Sequence, residues 1–98
     1  MEIHKWDVAL ENLIREETEK NNKPLTLNDV KRLANDHVIR FDDIMVTVFE
    51  LTLNNKWVYK ENNSIVPLTR EQVDDLYTGG RIKEEDVERY TGSWFPLK

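Results

Sequence analysis

His4 and His37 are the only two histidines in the chain, and no cysteine accompanies them. They stand far apart, without the HExxH-type spacing that sets two imidazoles on one helix face around a metal. Lacking cysteine, the chain has no thiolate nucleophile, thiolate zinc site or disulfide. Adjacent acids occur at Asp42-Asp43, Asp74-Asp75 and Glu84-Glu85-Asp86. A carboxylate pair can run general acid–base catalysis, yet neighbours on a helix point in different directions. Such runs read first as solvated or capping residues. His37 reads as a favourable charge near the negative end of a helix. Gly79-Gly80 lacks the Gly-Lys-Ser/Thr of a phosphate loop, and no serine or threonine sits beside a base in a recognisable motif. The sequence therefore predicts no enzyme, no metal site and no cofactor.

A chain without such chemistry acts by binding, and its composition narrows what it binds. Ninety-eight residues form a single domain, residues 1–98, with a hydrophobic content of 39% and three each of Trp, Tyr and Phe. That is enough for one modest core. Fourteen basic residues stand against 19 acidic ones, a net charge of −5. An acidic surface disfavours nucleic acid and anionic membranes, which both need a positive field. Met-Glu-Ile-His-Lys-Trp lacks the apolar core of a signal peptide, and no run approaches the ~18 apolar residues of a membrane span. A cytoplasmic protein without a membrane partner is expected.

The elements that would position a binding surface follow from periodicity. Ile3, Trp6, Leu10, Leu13 and Ile14 recur at helical spacing, with Glu16–Lys20 and Arg15–Glu19 as outer-face pairs, and Pro24 stops the helix. Thr26 and Asp29 resemble a capping box that opens a short helix on Leu27, Val30, Leu33 and Ala34, ending near His37. Phe41 to Leu53 is the densest apolar run. Alternation would set Met45, Thr47, Phe49, Leu51 and Leu53 against Ile44, Val46, Val48 and Glu50, but thirteen residues without a turn signal favour helix. Asn54-Asn55 suits a helix exit. Trp57-Val58-Tyr59 and Ile65-Val66 read as a hairpin turning at Glu61 to Ser64, with Pro67 ending the pairing. Thr69 and Gln72 form a second capping box, for a helix carrying Val73, Leu76 and Tyr77 and ending at Gly79-Gly80. A fifth helix is predicted over Lys83 to Tyr90, followed by an extended, docked tail, Ser93 to Lys98. The fold class is α+β.

Helix, short helix, apolar helix and two-stranded wing, in that order over residues 25–68, resembles the winged helix-turn-helix superfamily. The likeness is most local in Val48-Phe49-Glu50-Leu51-Thr52-Leu53-Asn54-Asn55-Lys56-Trp57-Val58-Tyr59, similar to the end of the third helix, the turn and the first wing strand. Residues 1–68 would then be the winged-helix-like core, and residues 69–98 a helical extension and tail.

The resemblance implies either DNA recognition through the third helix or service as a protein–protein module. DNA contacts need cations for phosphates and Arg, Asn or Gln for base edges. Phe41 to Leu53 holds Asp42, Asp43 and Glu50 and no Lys or Arg. Across Pro24 to Leu68 the five basic residues are Lys31, Arg32, Arg40, Lys56 and Lys60, against six acids. A small, non-enzymatic, regulatory module working through protein contacts is the leading expectation, its partner another protein or a second copy, with winged-helix DNA binding second. Aromatic residues anchor interfaces. Trp57 and Tyr59 on the wing, and Trp94 and Phe95 with Leu97 at the tail, are the candidate anchors. Taken singly, each reads first as core, but burial of all of them in so small a domain is not expected.

Overall fold

A computed structural model of the chain describes residues 8–78 and 81–97. Ile3, His4, Trp6, the Gly79-Gly80 stop and Lys98 lie outside the described residues. The fold is α+β, as the sequence predicts. The first helix, α1 (Val8–Asn21), buries Ile14 and ends with Asn22 in the left-handed region (φ 53°) and Lys23 N–H bonded to Thr18 O at 3.3 Å. Its Arg15 reaches Glu11, one turn toward the N-terminus, at 3.3 Å, where the sequence pairs it with Glu19 one turn the other way. A two-residue strand that the periodicity does not announce, β1 (Leu25–Thr26), follows.

The next helix, α2 (Leu27–Asp36), opens with the expected capping box. Thr26 N–H donates to Asp29 Oδ2 at 3.0 Å, and Asp29 N–H to Thr26 Oγ1 at 3.3 Å. Burial pushes the Asp29 carboxyl up, but hydrogen bonds from Thr26 and Arg32 outweigh it and hold the group below its ordinary value. Ile39 N–H closes the other end by bonding Ala34 O at 2.8 Å, with Val38 in the left-handed region at φ 53°. Glycine usually holds that position.

The ambiguous apolar run is the helix α3 (Phe41–Leu53). Ile44, Met45, Thr47, Val48, Phe49, Glu50 and Leu51 are all buried, so more than one of its faces is enclosed. That enclosure blurs the helical period and lets the run mimic a strand. Thr47 and Thr52 hydroxyls donate to the carbonyls of Asp43 (3.1 Å) and Val48 (2.8 Å), which satisfies two polar groups within the helix. Asn54 and Asn55 (φ 63°) form the exit, as expected.

The wing turns more tightly than predicted. Strands β2 (Trp57–Glu61) and β3 (Ser64–Ile65) turn through Asn62 and Asn63, both at positive φ, and pair Lys60–Ile65 and Glu61–Ser64, with Val66 N–H bonding Tyr59 O at 2.9 Å beyond the short strand. The chain then forms α4 (Arg70–Leu76), capped by Thr69 and Gln72 as expected, and a small hairpin of β4 (Tyr77–Thr78) with β5 (Arg81–Ile82). Tyr77 thus leaves the helix assigned to it. The last helix, α5 (Glu84–Val87), is shorter than predicted.

The tail, β6 (Ser93–Pro96), is more than a docked extension. It lies between β1 and β2 in an antiparallel sheet of order β1-β6-β2-β3, pairing Leu25–Trp94 on one side and Trp57–Pro96 through Lys60–Ser93 on the other. Pro96 has no N–H to give, and the next bond runs from Leu97 N–H to Lys56 O at 2.9 Å. Gly92 must be glycine for room: an added Cβ would stand 1.9 Å from Lys60 O.

Trp57, Tyr59 and Trp94, expected as exposed anchors, are 1%, 0% and 0% exposed and belong to the core. With Leu25 they line the sheet face that meets α3. Trp94 stands edge-on to Phe49 (6.0 Å, 84°) and tilted against Tyr59 (4.6 Å, 39°); Tyr90 closes the cluster at 5.5 Å from Phe49 and 5.7 Å from Tyr59. The reason is period two. Alternate residues of a strand face opposite ways, so three aromatics in phase across two paired strands go inside together.

Candidate functional site

The same alternation decides what the other face of the sheet carries. Val58 pairs with Phe95, and Lys60 pairs with Ser93 and Ile65; the Leu97–Lys56 bond extends the same row. Paired residues share a face, so Leu97, Phe95, Val58 and Ile65 stand together with Lys56 and Lys60. Ile65 is 63% exposed and Leu97 47%, while Val58 and Phe95 are half-buried. None of the four belongs to the core or to the partly buried residues packed against it. The face is an apolar surface whose only charges on these paired positions are two lysines.

Two concavities border it. One, of about 200 Å³, lies where β2 and the 65–68 segment diverge beside the end of α3, lined by Leu53, Val58, Ile65, Val66, Leu68 and Leu97 among others. The other, of about 340 Å³, runs along the end of α1, where Arg15, Glu19, Lys23 and Pro24 meet Phe95 and Pro96. Lys60 Nζ sits 4.9 Å above the Phe95 ring, and the Arg15 guanidinium 5.7 Å from the Trp57 ring centre. Both cations are thereby held against aromatic faces.

The residues predicted for DNA contact are dispersed. Lys31 lies 3.9 Å from Glu84, and Arg40 takes Asp42 with two bonds, 3.2 and 3.1 Å. Arg32 bonds Glu17 and Asp29 and lies 3.8 Å from Asp36. Only Lys56 and Lys60 of that set share a surface with a predicted interface residue, Phe95. Helix α3 presents little to a groove, its polar Glu50 and Thr47 being buried.

Val58 and Ile65 were not foreseen as surface residues. Both sets of the alternating strand are apolar in part, so the pattern alone does not say which set faces out. Tyr59 ties the end of its own strand to the turn before β6: its hydroxyl donates to Glu61 Oε2 at 2.6 Å and accepts from Gly92 N–H at 3.0 Å. Burial, with the Glu61 carboxylate beside it, pushes this phenol well above the usual tyrosine range.

Val38 is the other unforeseen feature. It is 93% exposed and holds φ 53°, a conformation that costs a β-branched residue about 1–2 kcal/mol. Burial returns none of that. Val38→Gly should therefore stabilise the fold by about 1 kcal/mol even after the entropy glycine adds to the unfolded chain, raising the thermal midpoint by several degrees. An unchanged or lowered midpoint in a calorimetric scan would contradict the strain.

Among the described residues no group of three His, Cys, Asp or Glu side chains is placed to hold a metal, and no helix is long and apolar enough to cross a membrane. Comparison with protein-family models, with curated proteins and with solved structures returns no match.

Proposed function

We propose that this chain is a non-enzymatic, regulatory protein-binding module on a winged-helix-like frame, and that it binds through the open face of its sheet. The observation that carries the reading is the contiguous set Val58, Ile65, Phe95 and Leu97, apolar, accessible and outside the core. Apolar residues gathered on one face mark interaction surfaces, whereas scattered ones do not. The order α1, β1, α2, α3, β2, with β6 completing the sheet, supports the winged-helix-like part. A cysteine-free chain suits a reducing cytoplasm. DNA binding has weaker support, because three of its five candidate cations are engaged by carboxylates and α3 is enclosed.

A photo-crosslinking residue placed at Val58 should capture a discrete protein in cell extract. Ile65→Asp with Leu97→Asp should abolish that capture while leaving the circular dichroism spectrum and the melting curve close to the parent's, surface changes of this kind being worth about 0.5 kcal/mol. A cross-link to nucleic acid, or capture that survives both aspartates, would overturn the proposal.

A further inference from the structure

The charge around the open face differs in sign from the protein as a whole. Lys56 and Lys60 lie on the face, and Lys23 lines the adjoining groove with Glu19; Arg15 lines it too, paired with Glu11 at 3.3 Å. With the Arg15–Glu11 pair set aside, three cations against one acid surround an apolar row, in a chain of net charge −5. Lys60 is also pre-positioned: it rests on Phe95, so it loses less freedom when a partner arrives.

We infer that the partner presents an acidic segment bearing aliphatic or aromatic side chains, laid along this face with its carboxylates toward Lys56, Lys60 and Lys23. One large apolar side chain enters the smaller concavity lined by Leu53, Ile65 and Leu97. This rests on the protein-binding reading above and adds the partner's chemistry to it. A second copy of the chain fits less well, since it would bring net negative charge toward net negative charge. The cations sit at the rim of an apolar patch, where opposite charge steers encounter and selects the partner.

The test is an NMR titration of labelled protein with two synthetic peptides of identical leucine spacing, one carrying aspartates between the leucines and the other lysines. The aspartate peptide should shift the amides of Val58, Lys60, Ile65, Phe95 and Leu97, more weakly as salt rises. Lys56→Glu with Lys60→Glu should reduce its affinity by about tenfold, from two exposed charge contacts each reversed in sign. Equal affinity for the lysine peptide on the same residues would overturn the acidic partner and leave the protein-binding reading standing. Silence from both peptides would also overturn the inference, and the cross-link at Val58 would then judge the broader reading alone. Mixed-sequence duplex DNA producing the same salt-sensitive shifts would reassign the cations to phosphates.

Discussion

Trp94→Ala is expected to lose about 3–5 kcal/mol, the usual range for deleting a buried tryptophan. A domain of this length has about 5–15 kcal/mol in total, so the variant should lose a large share of its stability and be partly unfolded at room temperature if the parent lies at the lower end of that range. Trp94 is fully buried, packs on Phe49 and Tyr59, and stands on the strand that joins β1 to β2. Its indole N–H has no hydrogen-bond partner among the described residues, and neither has that of Trp57. A buried unmade bond costs about 1–3 kcal/mol, and Trp94→Phe removes it. The phenylalanine variant should therefore lose only about 1–2 kcal/mol despite its smaller ring. Phe95→Ala, on the opposite face, should stay within about 1 kcal/mol of the parent. Urea denaturation of the three variants orders them, and an alanine variant at 94 as stable as the parent would place that side chain outside the core.

Arg70→Ala should cost about 3 kcal/mol although half of its side chain is exposed. Its partner Glu50 is 3% exposed on the enclosed helix α3 and receives both arms of the guanidinium, at 2.6 and 2.7 Å. Removing the arginine leaves a carboxylate in an apolar setting, and breaking such a pair costs about 3–5 kcal/mol; water reaching the Arg70 side favours the lower end. Removing both charges, as Glu50→Leu with Arg70→Leu, should come out near neutral, since neither desolvated charge remains. The coupling energy of that double-mutant cycle is then about 3 kcal/mol. Arg70→Lys should fall between, keeping charge and losing the fork. A cycle coupling below about 1 kcal/mol would mean that the contact behaves as an ordinary surface ion pair.

Local signals carried much of this fold. The Thr26/Asp29 and Thr69/Gln72 caps, the Asn54-Asn55 exit and the helix over Phe41 to Leu53 are all legible, because each depends on neighbours in sequence. What was not legible depends on partners far away. Leu25-Thr26 is too short to show a period, and it is a strand only because Ser93-Trp94 lies alongside. Glu50 looks like a charge on an exposed helical edge until Arg70, twenty residues on, is folded over it. The candidate face divides in the same way: Phe95 and Leu97 could be read as surface from the tail's composition, but sorting Trp57 and Tyr59 inward from Val58 outward needs the register with β6.

That register also sets the order in which the molecule can be built. A chain leaving the ribosome presents α1, α2 and α3 early, while β1 and most of β2 wait for residues 93–96, the last strand of the sheet to emerge. Until then the inner faces of Leu25, Trp57 and Tyr59 have no strand to complete them, and the nascent helices hold an unfinished apolar surface. The sheet closes by contacts between distant parts of the chain, which makes its closure the slow step of folding and the interval before it the period of greatest exposure to misassembly.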